Sequence, residues 1–246
     1  MQRFTRLLTP VAQPVPIPAF PAPPAPSRLP PPARTAQEDI GILHADAALL
    51  VVLKPAGMLS VPGRGEERAD CVATRVQARY PDALVVHRLD MATSGLMLFG
   101  LGLAAQRTLS RSFERREVSK RYLAVVDKLV LQDEGSVTSP LICDWPNRPR
   151  QRVDELRGKP ALTHWRVLER DVAQNCSRVE LQPVTGRSHQ LRVHLQSIGH
   201  PILGDELYAS PEAFARSPRL LLHACQIGLP HPVSGAWMAF EDPAPF

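Results

Sequence analysis

The amino-terminal 34 residues of this 246-residue chain hold 11 of its 26 prolines, so a packed core cannot begin there. Proline lacks a backbone N–H donor, and closely spaced prolines favour an extended, solvated polyproline II chain over helix or sheet. They also interrupt every apolar stretch that could serve as the core of a secretory signal peptide. We therefore predict a proline-rich, basic, disordered tail over residues 1–38 and one globular domain over residues 39–246.

The net charge of +5 is unevenly distributed along the chain. Residues 1–34 carry four arginines and no acidic residue, whereas the rest of the chain carries 25 basic and 24 acidic residues. The net charge of the folded part therefore does not indicate which kind of partner it binds.

Hydropathy and cysteine content exclude two further classes of protein. The longest apolar run, residues 47–53, fits a buried strand and is far shorter than the ~18 residues that a membrane helix needs. The four cysteines lie far apart and form no CxxC pair, which predicts reduced thiols rather than a disulfide framework. We expect a cytoplasmic protein with no membrane association.

The periodicity of apolar residues predicts an α+β fold with a central, mixed, mostly antiparallel sheet flanked by helices. Strands outnumber helices and often follow one another directly, which favours antiparallel pairing. Helices are expected over residues 70–80, 103–115 and 188–198. Strands are expected over residues 48–53, 83–88, 96–100, 119–127, 137–141, 161–169, 176–183, 220–228 and 236–240.

The ends and inner faces of two helices can be predicted as well. Asp70 has the side chain of a helix cap and should begin the first helix. On the third helix, Leu191, Leu195 and Ile198 should face the core. Gly199 should end that helix, because glycine accepts the left-handed conformation that follows a helix terminus.

A glycine-rich segment, residues 100–105, matches the G-x-G-x-x-A pattern of dinucleotide-binding folds. It lies between a predicted strand and a predicted helix, and Asp127 ends the next strand, where a ribose-binding carboxylate would stand. No further strand–helix–strand units follow, although a doubly wound sheet needs several. A dinucleotide-binding enzyme is therefore kept only as an alternative.

The segment His87–Gly95 (HRLDMATSG) is a polar loop between two predicted strands, and it presents Asp90 at a turn. This carboxylate either caps its own loop through Thr93 or Ser94, or it takes part in a reaction. The many ionisable groups around Asp90 favour a part in a reaction, but they do not identify the reaction.

A second polar segment, Thr185–His194 (TGRSHQLRVH), opens the third predicted helix. Backbone amides at a helix N-terminus, together with Arg187 and His189, suit an anion or a partner carboxylate. A zinc site is the competing interpretation. His189 and His194 are five residues apart and diverge on a helix, and the chain has neither HExxH nor CxxC, so no metal site is expected.

Basic side chains are concentrated in two segments. Residues 107–121 hold six basic and two acidic residues, and residues 148–152 hold three arginines beside Trp145, whose ring could stack on a base. Like charges along one helix face oppose folding, which suggests a polyanion that compensates them. Tyr122 follows the first segment, on the strand face it shares with Ala124 and Val126. Local charge, unlike net charge, thus favours an RNA partner.

The segment His87–Gly95 resembles the HRLDxxTSG signature of the RluA family of pseudouridine synthases. Three further segments resemble other motifs of that family in the same order, namely Arg121–Tyr122, Thr185–His194 and the LHA element Leu222–Ala224. The likeness extends from about His44 to the end of the chain and leaves the proline-rich tail unmatched.

The resemblance implies an isomerase that breaks the N1 glycosidic bond of a uridine in RNA, turns the uracil and bonds C5 to C1′. Family members need neither metal nor cofactor for this reaction, so none is expected here. By similarity Asp90 is the catalytic carboxylate, as nucleophile or as base, Arg187 is its ion-pair partner, and Tyr122 stacks on the uracil. Arg88 is expected to fill the space that the flipped nucleotide leaves.

Residues 60–64, 141–149 and 199–205 resemble segments of the dual-specificity branch of the family. This resemblance implies uridines in 23S rRNA and in the tRNA anticodon-arm loop as substrates. We expect the enzyme to be a monomer. A catalytically idle RNA-binding protein of the same fold is the alternative. The presence of Asp90, Tyr122 and Arg187 argues against it.

Overall fold

The computed structural model describes residues 40–65 and 68–246, so the predicted tail lies outside the described residues. The strands are β1 (Gly41–Ala45), β2 (Leu49–Lys54), β3 (Ala83–Val85), β4 (Ser94–Leu101), β5 (Ser119–Asp127), β6 (Glu134–Val137), β7 (Leu141–Cys143), β8 (Gln151–Val153), β9 (Thr163–Asp171), β10 (Cys176–Pro183), β11 (Leu222–Pro230) and β12 (Trp237–Glu241). The helices are α1 (Val72–Arg79), α2 (Leu103–Glu114), α3 (Gln190–Ser197) and α4 (Pro211–Ala215), and a 3₁₀ turn covers Trp145–Asn147. Within the described residues, no helix is long and apolar enough to cross a membrane.

Within residues 40–65 and 68–246, ten strands form one sheet in the order β1-β2-β4-β11-β5-β10-β9-β6, with β3 paired to β4 and β12 paired to β11. Strands β7 and β8 form a separate hairpin. Among the strand pairs of the described part, β11–β4 runs parallel and the others run antiparallel. The α+β prediction with a mixed, mostly antiparallel sheet is confirmed.

Helices cover both faces of the sheet around β2, which explains why this strand is a continuous apolar run. Leu50 and Val52 pack in the cluster that includes α1, whereas Leu49 and Val51 pack against Leu109 of α2. Burial of such a side chain stabilises the fold by roughly 1.5–3 kcal/mol. Helix α3 covers the other half of the sheet, over β5, β9 and β10.

Gly95 allows β4 and β11 to meet in the middle of the sheet. Its φ of +115° lies in a region that other residues rarely adopt, and a Cβ there would lie 2.3 Å from the Ala224 carbonyl oxygen. Gly95 and Ala224 are register partners in the parallel pair. The glycine of the HRLDxxTSG segment and the alanine of the LHA element are therefore in close backbone contact. This central joint places the end of the loop that carries Asp90 beside β11.

Several predicted helix and core positions are corrected by the structure. Helix α1 begins after Cys71, whose extended backbone and sulfur cap its first turn, and not at Asp70. Helix α3 begins two residues later than predicted because His189 has a left-handed backbone, with φ of 53°. Ile198 lies beyond the last turn and is 37% exposed, so its predicted inward position is wrong. Gly199, with φ of +84°, follows the helix as predicted.

The strand predicted over residues 137–141 is two separate strands. Strand β6 ends at Val137 and β7 begins at Leu141, and Pro140 lies between them. Proline has no N–H to donate to a ladder, so it separates the two segments. The other predicted strands are present, with ends that differ by a few residues.

The dinucleotide-binding alternative is wrong. Strand β11 is parallel to β4 and antiparallel to β5, so β4 and β5 run in opposite directions, whereas a dinucleotide fold joins parallel strands through a helix. The glycine-rich segment instead allows α2 to pack closely on β4. A Cβ at Gly100 would lie 2.6 Å from the Gln106 backbone nitrogen.

Asp46 links the β1–β2 turn to the turn that follows β11. Its Oδ2 lies 2.7 Å from Nε2 of His44 and 3.2 Å from Nε2 of His231, and its Oδ1 accepts hydrogen bonds from the backbone N–H groups of Ala48 and Leu49. Burial alone raises the pKa of this carboxyl group, but these contacts outweigh burial and lower it to about 2.

We expect Asp46 to contribute about 1 kcal/mol of stability at neutral pH, after allowance for solvent screening of this partly exposed carboxylate. Because its folded pKa of about 2 lies below the unfolded value of 3.8, this contribution is present above pH 3.8 and is lost as the pH falls through about 2. In urea unfolding, the Asp46→Asn variant should have a lower free energy of unfolding than the wild type at about pH 7. This difference in free energy should be about half as large near pH 3. A pH-independent difference would contradict this prediction.

Candidate active site

The loop between β3 and β4 carries Asp90, and residues 87–93 are called the Asp90 loop below. Ser60 Oγ donates to the carbonyl of Leu89 at 2.7 Å and accepts from its N–H at 3.1 Å. Lys54, which ends β2 and is 2% exposed, donates from Nζ to the carbonyls of Met91 at 2.9 Å and Thr93 at 2.7 Å. These contacts fix the backbone of the loop on both sides of Asp90.

The charge state of Lys54 follows from its partners. Burial lowers the pKa of Lys54 to about 7, although the charge of Asp90 opposes this. Its Nζ also donates to the carbonyl of Pro55 at 2.9 Å, so three carbonyls surround the nitrogen. Three acceptors match the three N–H bonds of an ammonium group, and a neutral amine has only two. The geometry is therefore that of the charged form.

His87 anchors the start of the Asp90 loop. Its Nε2 accepts the backbone N–H of Leu98 at 3.0 Å, and its ring stacks on Phe113 with centroids 4.8 Å apart. Burial, together with the charge of Lys120, lowers the pKa of His87 to about 3. The imidazole is thus neutral, with its hydrogen on Nδ1. His87 holds the loop against β4 and α2 and does not face the cavity beside Asp90.

Asp90 faces an arginine of α3. Nη1 of Arg192 lies 3.6 Å from Oδ2 of Asp90, while its Nε and Nη2 each donate to Asp205 at 2.7 Å. Arg192 is 5% exposed and Asp205 is 1% exposed. Asp205 also accepts the N–H groups of Leu207 and Tyr208, at 2.9 and 3.1 Å. Asp205 therefore fixes the guanidinium so that its third nitrogen points at Asp90.

Electrostatics keeps this guanidinium charged. Burial alone would lower the pKa of Arg192, but the hydrogen bonds and charge of Asp205, together with the charge of Asp90, raise it above its ordinary value. Guanidinium–carboxylate pairs with two parallel hydrogen bonds are among the strongest that side chains form. A fixed positive charge thus stands beside the Asp90 carboxylate.

His189 approaches the other oxygen of Asp90. Its Nε2 lies 4.0 Å from Oδ1 of Asp90, and its Nδ1 lies 2.7 Å from the hydroxyl oxygen of Tyr208. Burial lowers the pKa of His189, against the opposing charge of Asp90. The sequence-based expectation that this segment suits a partner carboxylate agrees with this placement.

The segments that carry the four motifs converge on a cavity of about 100 Å³. Its lining includes Arg88, Asp90, Lys120, Tyr122, Arg187 and Leu222. Tyr122 packs with the same cluster as Ala124 and Val126, as the strand alternation predicted. Burial, and to a lesser extent the charge of Asp90, raise the pKa of Tyr122. Its hydroxyl is therefore protonated at neutral pH.

All four predicted site residues line this cavity, but the predicted ion pair between Arg187 and Asp90 is wrong. Arg187 is exposed, and its Nε donates to the carbonyl of Pro160 at 3.1 Å. Arg192 takes the place beside Asp90. The reason is that Arg187 lies in the loop before α3, whereas Arg192 lies on the face of the helix that is turned toward the cavity.

Arg192 and Asp205 were not predicted from the sequence as site residues. A signal for Arg192 was present, because it stands between Leu191 and Val193 in the apolar part of a predicted helix. An arginine in such a place needs a carboxylate partner. No local pattern identifies Asp205 as that partner, because it lies beyond the helix in a loop of irregular structure.

Two basic surfaces lie outside the cavity. Within the basic segment 107–121, Arg107 and Arg111 of α2 and Arg115 at its C-terminal cap form an exposed arginine row. On the β7–β8 hairpin Trp145 is 66% exposed, and the guanidinium of Arg148 lies 4.3 Å from its ring centre. Within the described part of the chain, no group of three or more histidine, cysteine, aspartate or glutamate side chains could hold a metal ion.

The chain matches the family model described as RNA pseudouridylate synthase over residues 48–197. It is 56% identical over 205 residues to the dual-specificity RNA pseudouridine synthase RluA of Escherichia coli K12, which covers 83% of this chain and 93% of that protein. Identity to the protein of the same name from Pasteurella multocida is 50% over 207 residues, covering 84% and 94% of the two chains. The predicted resemblance to the RluA family is confirmed.

Solved structures agree with these matches. Human RNA pseudouridylate synthase domain containing 1 superposes with a TM-score of 0.73 at 27% identity, covering 87% of this chain and 86% of that one. Human RNA pseudouridylate synthase domain containing 4 gives 0.67 at 26% identity, covering 83% and 88%. The chain therefore belongs to the RNA pseudouridylate synthase family and is an RNA pseudouridine synthase, an isomerase that converts uridine in RNA to pseudouridine.

Proposed function

We propose that this enzyme isomerises uridines in both 23S rRNA and the tRNA anticodon-arm loop, with Asp90 as the catalytic carboxylate. The observation that carries the proposal is the cavity in which Asp90 meets the guanidinium of Arg192 and the ring of Tyr122. Two RNA classes are proposed because relatives that are 50–56% identical are named as dual-specificity enzymes.

Asp90 is suited to act on the sugar of the target nucleotide. The reaction breaks the N1–C1′ bond and forms a C5–C1′ bond, while C5 loses a proton and N1 gains one, so no redox change occurs. An ionised carboxylate can serve either as a nucleophile at C1′ or as a base at the sugar. The charge of Arg192, 3.6 Å away, favours the ionised form that both routes need.

Tyr122 is suited to stack on the uracil. The ring borders the cavity beside Asp90, and aromatic side chains commonly hold flipped bases by stacking. The raised pKa of Tyr122 keeps its hydroxyl protonated, so it is a poor candidate for a phenolate base. Its contribution to the reaction is thus the placement of the base against Asp90.

Arg88 and Arg187 are suited to the RNA backbone around the flipped nucleotide. Both are exposed at the mouth of the cavity, and Nη2 of Arg88 lies 3.5 Å from the hydroxyl of Ser188. Extraction of a base costs a few kcal/mol of lost stacking. A guanidinium that enters the vacated space and contacts phosphate offsets that cost, and Arg88, beside Asp90, is placed for this role. Arg187 is assigned a phosphate contact.

The remaining basic surfaces support a longer RNA footprint. The arginine row of α2 provides exposed positive charge for phosphates, and exposed Trp145 on the β7–β8 hairpin provides a ring on which an unpaired base can stack. We assign catalysis to a monomer in the cytoplasm, with residues 39–246 as the catalytic domain. The cavity side chains suffice for a redox-neutral isomerisation, so no metal or cofactor is invoked.

The test is to incubate the purified enzyme with unmodified tRNA and 23S rRNA transcripts, in a metal chelator and without added cofactor, and to map pseudouridine by chemical labelling. We expect product in an anticodon-arm loop and in an rRNA loop, and none with the Asp90→Asn variant. Product in one RNA alone would overturn dual specificity. Product only on addition of a metal ion would overturn the proposed independence of metals.

A further inference from the structure

A chain of hydrogen bonds runs from the β7–β8 hairpin to the rim of the cavity. The backbone N–H of Gln151 donates to the hydroxyl oxygen of Tyr208 at 2.7 Å, and this oxygen lies 2.7 Å from Nδ1 of His189. The two rings meet edge to face, with centroids 5.6 Å apart. Tyr208 is buried, so these hydrogen bonds are largely shielded from water. The position of the His189 ring is therefore set by Tyr208.

The bond from Gln151 favours one position of the hydrogen on His189. Because the Tyr208 oxygen accepts the N–H of Gln151, its own hydrogen can be directed at Nδ1 of His189. A neutral imidazole whose Nδ1 is an acceptor carries its hydrogen on Nε2. Burial lowers the pKa of His189, which keeps the ring neutral at neutral pH. In this tautomer Nε2 is a hydrogen-bond donor, and it is the nitrogen that faces Asp90.

The backbone of His189 is held in an uncommon conformation. Its φ of 53° and ψ of 17° place it in the left-handed region, which is uncommon for residues other than glycine, although asparagine, aspartate and histidine enter it more often than most. Such a conformation persists when the surrounding contacts determine it, and it is concentrated at functional sites. The bond to Tyr208 is one such contact, and it directs Nε2 into the cavity.

The charges around His189 explain why a neutral donor suits this place. The charged groups that face the ring are Asp90 and Arg88 from the Asp90 loop, Arg192 from α3 and Asp205 from the loop after α3. Arg192 already provides a positive charge at Oδ2 of Asp90 and is neutralised by Asp205. A neutral N–H at Oδ1 orients the carboxylate without adding a second positive charge that would weaken it as a base or nucleophile.

We propose that His189, oriented by Tyr208, is a positioning residue that donates Nε2–H to Oδ1 of Asp90 when RNA is bound and so fixes the rotation of the carboxylate. The present separation of 4.0 Å is longer than a hydrogen bond. Catalytic hydrogen bonds commonly tighten when the substrate binds. The inference rests on the assignment of Asp90 as the catalytic carboxylate.

The kinetic test compares two substitutions of His189. His189→Asn tolerates the left-handed backbone but is too short to reach Asp90, whereas His189→Gln keeps an N–H donor near the position of Nε2. We expect His189→Asn to lower the single-turnover rate at saturating RNA about 10- to 100-fold, with RNA affinity changed less than about 2-fold. His189→Gln should recover most of the rate. The control is His164→Asn on β9, which should leave the rate unchanged.

A spectroscopic test does not depend on turnover. The ¹⁵N chemical shifts of the imidazole nitrogens, assigned by loss of the signal in His189→Asn, should report a hydrogen on Nε2 in the wild type. Tyr208→Phe removes the donor to Nδ1 and should give a mixture of the two tautomers. A hydrogen on Nδ1 in the wild type would overturn the proposal.

The roles of Asp90 and of His189 are overturned by different results. If Asp90→Asn keeps full turnover, the proposed function of Asp90 fails and the role of His189 fails with it. If Asp90→Asn is inactive but His189→Asn retains the wild-type rate, the role of His189 alone is overturned. Equal losses in His189→Asn and His189→Gln would also overturn it, because a donor at the position of Nε2 would then make no difference.

Discussion

Asp90→Asn is expected to lower the turnover of uridine to pseudouridine by at least about 10³-fold while RNA binding is largely kept. The amide is nearly isosteric with the carboxylate but has no negative charge, so it is neither a base nor a nucleophile for the sugar. The fold should be little affected. Arg192 keeps its two bonds to Asp205, and the Asp90 side chain is partly exposed to solvent.

The measurement is a single-turnover rate with saturating RNA, together with a binding constant from filter retention. A matched control is Asp70→Asn, which removes the same charge from an exposed aspartate that pairs with Arg75 at the surface. It should leave the rate within about 2-fold of the wild type. Retention of more than a tenth of the wild-type rate in Asp90→Asn would refute the assignment of Asp90.

Arg192→Met is expected to destabilise the protein by about 3–5 kcal/mol and to lower turnover as well. Methionine approximates the apolar stem of arginine but leaves Asp205 as a buried carboxylate without its cation. In a domain of this size, that loss corresponds to a melting temperature roughly 10 °C lower. Asp90 also loses the charge that favours its ionised form, so turnover should fall even where the variant is fully folded.

Arg187→Met provides the matched control for this substitution. The two arginines belong to the same TGRSHQLRVH segment, but the guanidinium of Arg187 is exposed. We expect a change in stability within about 0.5 kcal/mol and an effect on RNA affinity rather than on the rate at saturating RNA. Calorimetry and single-turnover kinetics on both variants check these expectations. Equal destabilisation by the two substitutions would show that the buried pair with Asp205 is not what stabilises the fold.

The sequence predicted the parts of the fold that depend on local pattern. Strands β5 and β10 are present over the predicted residues because their alternation of apolar side chains is regular. The central joint of Gly95 with Ala224 could not be predicted, because the pairing of strands far apart in the chain leaves no local periodicity. Strand β6 was misjudged for a different reason, since Pro140 interrupts an otherwise strand-like stretch.

In the candidate site too, local motifs identify some residues, and others can be found only from the fold. Asp90 and Tyr122 were identified through the motifs and line one cavity. The choice between Arg187 and Arg192 depends on where α3 begins, and the left-handed backbone of His189 moves that point. Spacing along the chain could not reveal such an interruption. Asp205 requires the three-dimensional fold, because its partner lies on another element.

The central position of β11 determines the order in which this chain can acquire activity. In the sheet it lies between β4 and β5, yet it follows β5 in the sequence by roughly 100 residues. Until β11 is synthesised, β5 has one unpaired edge, and β4 lacks a partner only at Ser94 and Gly95, because β3 pairs with the other end of that edge. Unpaired edges invite pairing with other chains. Leu222 at the start of β11 also completes the lining of the cavity. The two parts of the sheet are therefore joined, and the lining of the catalytic cavity completed, in the same folding step.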